Sequence, residues 1–94
     1  MLKFDWDEAN IEHIAEHEVS PGEAEQVITN EPFEIDFQRY EEEDRISELG
    51  ETDSGRILIV VSTMRGSALR VVTAYPASKA MRLEYIFEKG RRIH

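Results

Sequence analysis

Ser20-Pro21-Gly22-Glu23-Ala24-Glu25-Gln26-Val27-Ile28-Thr29-Asn30-Glu31-Pro32-Phe33-Glu34-Ile35-Asp36-Phe37-Gln38 is the stretch that decides the fold, because its apolar period changes partway along. Ser20 can accept from the backbone at Glu23, proline is tolerated at a first helical position, and Glu23 can reach back to the cap. Ala24, Val27 and Ile28 then fall on one helical side, and Asn30 to Pro32 stops the helix. Immediately beyond, Phe33, Ile35 and Phe37 alternate with Glu34, Asp36 and Gln38, the two-residue period of a strand with one wet face. A helix handing over to a strand within so few residues predicts an α+β chain.

Upstream, Leu2 to Trp6 reads as a first strand, and Asp7 is placed to cap a helix through about Glu18. Its expected buried stripe is Ile11, Ile14 and Ala15, with Glu8, Glu12 and Glu16 in water. Downstream, the acidic run Glu41-Glu42-Glu43-Asp44 is expected as a solvated hairpin loop before a strand from Arg45 to Leu49. Asp53-Ser54-Gly55 supplies a turn, and Ile57 to Met64 is apolar almost throughout, which suits a central strand. Arg65-Gly66-Ser67 turns the chain into Ala68 to Tyr75, Pro76 ends that strand, and Ser78 caps a last helix that closes at Gly90. Gly50, Gly55 and Gly66 read as backbone requirements of hairpins. The order is β-α-α-β-β-β-β-α with an antiparallel meander as its body. A single domain over residues 1–94 is expected, since a chain of 94 residues holds one small core.

No cysteine is present, so disulfides and thiolate metal sites are excluded. No apolar run approaches the roughly 20 residues that cross a bilayer. Met1-Leu2-Lys3-Phe4-Asp5 turns acidic too soon for a signal peptide, so the cytoplasm is the expected compartment. A net charge of −9 argues against general affinity for nucleic acid. The charge is uneven: residues 1–55 hold 18 Asp/Glu against three Lys/Arg, and residues 56–94 hold eight Lys/Arg against two Asp/Glu. Either two opposed surfaces exist, or the halves interleave and neutralise each other.

Several motifs together resemble the BrnT family, toxins of bacterial toxin–antitoxin pairs. They are Phe4-Asp5-Trp6-Asp7; His17 followed by Val19-Ser20; Arg45, Gly50 and Gly55-Arg56-Ile57-Leu58; Arg70-Val71-Val72-Thr73-Ala74; and Arg82 with Tyr85. The resemblance runs from about Phe4 to Tyr85. It implies a RelE-like fold with two N-terminal helices, a four- to five-stranded antiparallel sheet and a C-terminal helix. It also implies metal-independent cleavage of RNA, and a cognate antitoxin that neutralises the toxin and links it indirectly to DNA. Two family lysines align with Asn10 and Glu16, a family arginine with Tyr75, and a family glutamate with Met81.

Cleaving RNA without a metal needs a group to activate a ribose hydroxyl, a proton for the departing oxygen, and cations over the phosphorane. The candidate catalytic residues are His17, Arg70, Arg82 and Tyr85. His17 is the natural acid or base, the alternative being a surface imidazole paired with Glu16 or Asp44. Arg70 either meets phosphate or forms a structural ion pair with Glu34, Asp36 or Glu48. Arg82, Tyr85 and Lys89 are expected on one wet face of the last helix, opposite a buried stripe of Ala80, Leu83 and Phe87. That face either holds a phosphate and stacks a base or is simply solvated. His13 and His17 have metal-ligand spacing, but no Glu follows His13 in an HExxH pattern and no third ligand is evident. No cofactor is expected, because no phosphate-cradling glycine motif is present. Outside the nuclease reading stands a non-catalytic protein-binding module.

Overall fold

A computed structural model describes residues 2–93; Met1 and His94, the ends of the expected 1–94 domain, lie outside the described residues. The elements follow the expected order: β1 (Lys3–Phe4), α1 (Glu8–Ala15), α2 (Pro21–Thr29), β2 (Phe33–Tyr40), β3 (Glu43–Glu51), β4 (Ile57–Arg65), β5 (Ala68–Pro76) and α3 (Lys79–Ile93). They form one compact α+β domain of three helices and a five-stranded sheet, ordered β1-β5-β4-β3-β2. β2 to β5 make the antiparallel meander. β1 pairs parallel to β5, so the sheet is mixed and not antiparallel throughout. The reason is connectivity. The two helices return the chain to the far edge of the sheet, where β2 begins, and leave β1 beside the last strand.

Both expected helix starts form as capping boxes, at Asp7 with Asn10 and at Ser20 with Glu23. One hydrophobic cluster joins α1 and α2 to the sheet: Ile14, Val19, Ala24 and Val27 against Leu58, Val60, Val71 and Ala74. α1 presents a different face from the one expected. Ile14 is buried, but Ile11 and Ala15 are exposed, and Asn10 is turned inward. The cause is the open edge of β5 beyond β1. The Asn10 amide donates to the Asp5 carbonyl at 2.9 Å and to the Val71 carbonyl at 3.1 Å, while its oxygen accepts from the Asp7 N–H at 2.8 Å. Satisfying two edge carbonyls in a buried place outweighs burying one more isoleucine face.

A second cluster, Leu49, Ile59, Ala77 and Tyr85, lies between the sheet and α3. Here Arg82 and Lys89 are exposed as expected, but the expected buried stripe is not buried and Tyr85 is. Leu83 and Phe87 are 59% and 66% exposed and Ala80 is exposed, whereas Tyr85 is 3% exposed and Met81 packs against the cluster. Apolar residues are spread around this helix, so periodicity alone leaves its orientation open. The tyrosine ring meets Phe33 edge-on at 5.5 Å, and its hydroxyl donates to Glu51 at 3.2 Å. The helix also runs through Gly90 to Ile93 without closing there.

The acidic run is only partly a loop. Glu41 and Glu42 form a two-residue turn at φ 47° and 67°, whereas Glu43 and Asp44 begin β3. A bulge at Ile35 breaks the alternation of β2, and every residue of β2 after Phe33 is exposed. Gly50 serves packing and not a turn: a Cβ there would stand 3.0 Å from Pro32 Cβ and 3.1 Å from Val27 Cγ1. Gly55 and Gly66 do occupy turns, at φ 90° and 62°.

Candidate functional site

The meander brings cations from consecutive strands to one end of the sheet. Arg45 comes from β3, Arg65 from β4 and Arg70 from β5; Thr63 lies opposite Arg70 and Ala68 opposite Arg65. With Ala9, Asn10 and His13 of α1 they line a groove of about 350 Å³. The bulge in β5 places Val72 outside the regular register and on the wall of the same groove.

Every guanidinium in this groove has a carboxylate partner. Arg70 forks onto Asp7 with bonds of 3.0 and 3.1 Å, and Asp5 lies 3.6 Å away. These acids come from the opening segment, not from Glu34, Asp36 or Glu48 as the sequence suggested. Arg45 and Arg65 share Glu43, at 3.0 Å each. Arg45 also lies over the Tyr40 ring, 5.0 Å from its centroid. Hydrogen bonds from Arg70 hold the Asp7 carboxyl below the usual carboxylate range, and Asp7 in turn raises Arg70. Arg45 and Arg65 lower Glu43 in the same way. The groove is therefore charge-balanced, three guanidiniums against Asp5, Asp7 and Glu43. A fork that fits a carboxylate also fits two oxygens of a phosphate, so these arginines are already arranged to exchange one anion for another.

His17 lies in the turn after α1 and not within the helix. Its ring meets His13 at 5.7 Å and Tyr75 at 6.1 Å, both edge-on. The ion pair of this region belongs to His13, whose Nδ1 lies 4.0 Å from Glu16; His17 pairs with neither Glu16 nor Asp44 among the described residues. His13, His17 and Tyr75 thus form a chain of rings leading from the arginine groove.

Arg82 and Tyr85 stand apart from this groove. Arg82 donates to the Ala77 carbonyl at 2.9 Å. Tyr85 faces a second groove, of about 710 Å³, that also contains Glu31, Glu51, Asp53 and Lys89. Lys89 is ion-paired to Glu51, the same carboxylate that accepts from Tyr85. Carboxylates around this groove oppose phosphate. Of the four sequence candidates, Arg70 lines the arginine groove, His17 joins it through His13, and Arg82 and Tyr85 serve the seat of α3. Sequence reasoning missed Arg65 and the ring contact of Tyr75. Arg65 had a signal in the tight turn that sets the end of β4 against the start of β5, whereas the Tyr75 contact depends on where the turn after α1 falls.

No helix among the described residues is long and apolar enough to cross a membrane. By architecture and site, this is a small α+β domain with arginines and an imidazole gathered on an exposed end of its sheet. The chain belongs to the family of BrnT ribonuclease toxins of type II toxin–antitoxin systems, whose model matches residues 6–80. Membership implies RNA as substrate and an antitoxin as partner. The match includes the groove, His17 and Tyr75, and stops before Arg82 and Tyr85. No curated protein matches the chain.

Proposed function

We propose that this chain is an endoribonuclease toxin of the cytoplasm that cleaves RNA without a metal and is neutralised by its antitoxin, which also links it to operator DNA. The accompanying fold reading is RelE-like, over residues 1–94. The observation that carries the reading is the convergence of Arg45, Arg65 and Arg70 from three strands beside His13, with His17 one ring further on.

In this reading a backbone phosphate enters the groove and replaces carboxylate oxygens on the guanidinium forks. A histidine of the His13–His17 pair removes the proton from the ribose 2′-hydroxyl. The oxygen attacks phosphorus, the bond to the departing 5′-oxygen breaks, and a second acid returns a proton to that oxygen. The products are a 2′,3′-cyclic phosphate and a 5′-hydroxyl. Arg70, with Arg45 and Arg65, stabilises the charge that grows on the phosphorane. Tyr75 supplies a ring on which a base can stack. Arg82 and Tyr85 keep a role in this proposal as the residues that hold α3 in place.

The test is cleavage of single-stranded RNA by partner-free protein in the presence of a chelator, with the RNA ends identified chemically. Arg70→Ala is expected to lower the rate by about 10²-fold, the scale of losing one preorganised donor to a developing charge. Unchanged cleavage in Arg45→Ala and Arg70→Ala proteins would remove the groove from the mechanism.

A second reading, a protein-binding module without nuclease activity, is favoured by one observation. The groove arginines are already neutralised by carboxylates, and Asn10 beside them is committed to the Val71 carbonyl. Folded protein that binds its antitoxin but leaves RNA intact is the result that selects it.

A further inference from the structure

The sheet face that carries α1 and α2 is only half covered. The strand pairings place Phe37, Ile46, Ser62 and Val71 in one row across it, with Met64 and Leu69 in the next row outward. The helices lie over Leu58, Val60, Val71 and Ala74 and stop there. Beyond them Phe37, Ile46, Met64 and Leu69 form the floor of a groove of about 460 Å³, with Glu42, Glu43, Asp44 and Arg65 at its side, Arg65 being paired to Glu43 at 3.0 Å. Phe37 and Met64 are 55% and 54% exposed, although the row of Phe37 is buried at its other end, at Ser62 and Val71. An apolar sheet face normally carries a helical layer along its whole length.

Charge describes the missing layer. On the same face, Glu34 lies directly opposite Glu48 in the β2–β3 pairing, and no cation pairs with either among the described residues. Burial, and then the neighbouring Glu34, push the Glu48 carboxyl above its ordinary value. Arg39 does not relieve them, being bonded to Asp44 at 2.8 Å. Glu42 at the groove, and the Glu34–Glu48 pair one row along the sheet from Phe37 and Ile46, thus carry no paired cation among the described residues. A second copy of this chain would bring more carboxylates to that border. A helix with apolar residues on one side and lysine or arginine beside them would bury the floor and neutralise two opposed carboxylates together.

We propose that the uncovered end of this face is the docking surface for a cationic amphipathic helix of the partner protein, which completes the helical layer over Phe37, Ile46, Met64 and Leu69. From the toxin reading the inference takes only the existence of a protein partner.

The test uses the full chain and a synthetic leucine–lysine amphipathic peptide of about 14 residues, long enough to become helical once docked. Titration calorimetry gives the affinity, and amide chemical-shift changes give the location. Shifts are expected around Phe37, Ile46, Met64 and Leu69. The affinity is expected to fall at least about tenfold in Phe37→Ser and in the double variant Glu34→Lys/Glu48→Lys. Glu34→Gln/Glu48→Gln keeps the shape, removes the charge, and is expected to weaken binding in the same direction. Glu12→Lys makes the same charge change per site on the exposed side of α1 and is expected to matter less than about twofold. The proposal is overturned if Glu12→Lys weakens binding as much, or if a leucine–glutamate peptide binds equally well. Shifts confined to Leu83, Ile86 and Phe87 of α3 also overturn it, as does a concentration-dependent dimer that Phe37→Ser abolishes. RNA cleavage by the same variants is measured alongside, so loss of docking and loss of nuclease activity are read separately.

Discussion

Glu48 shows how a single residue can work against its own element. Its carboxyl sits half-buried in β3 opposite Glu34, and burial followed by that like charge raises its pKa from the ordinary 4.5. A carboxyl whose folded pKa is raised favours the native state while protonated. That contribution is complete below the unfolded value and is lost as pH rises through the folded one. At neutral pH, Glu48→Gln is therefore expected to raise the melting temperature by roughly 1–5 °C, the scale of a cross-strand pair worth about 0.2–1 kcal/mol. Well below pH 4.5 the Glu48 carboxyl is protonated in both the folded and the unfolded chain, and the melting curves of the two proteins should converge. An equal gap at both pH values would assign the effect to packing. Asn10 teaches the complementary lesson. Its side-chain oxygen completes the cap of α1 and its amide nitrogen bonds the Asp5 and Val71 carbonyls, so its chemistry is structural in this chain.

Elements were legible in sequence wherever capping or turn chemistry spoke. Asp7 and Ser20 announced the two N-terminal helices, and the change of period at Phe33 announced the meander. Orientation was less legible. α1 is rotated by the polar demand of an exposed sheet edge. α3 is rotated because Tyr85 finds both a ring and a carboxylate beneath it, while Leu83, Ile86 and Phe87 face outward. The β2–β3 hairpin carries its own local conflict, since Glu41 and Glu42 both adopt positive φ in a two-residue turn that favours Asn-Gly. Glu41→Asn/Glu42→Gly is expected to stabilise the fold by about 1 kcal/mol, with thermal or urea unfolding as the measurement. No gain in stability would mean that the glutamates find compensation in the turn.

For the whole molecule, the uneven charge of the sequence does not become two opposed surfaces at the observed contacts. Cations of the later half meet acids of the earlier half: Arg70 with Asp7, Arg65 with Glu43, Arg56 with Glu23, and Lys89 with Glu51. The excess of −9 is left as self-repulsion. Raising salt from about 0.05 M to 0.5 M is expected to increase the melting temperature of the free protein, because it screens that repulsion more than the short ion pairs. A decrease with salt would give the ion pairs the larger share of stability.

The sequence by itself determined the order of elements, the helix starts, the central strand and the family, because each depends on neighbours a few residues apart or on a short motif. Only the tertiary structure decided that Arg45, Arg65, Arg70 and His13 share a groove, that Arg82 and Tyr85 stand apart from it, and that one sheet face is left half bare. Those outcomes depend on strand register and helix rotation. Both are set by contacts between residues far apart in the chain, where local periodicity carries no information.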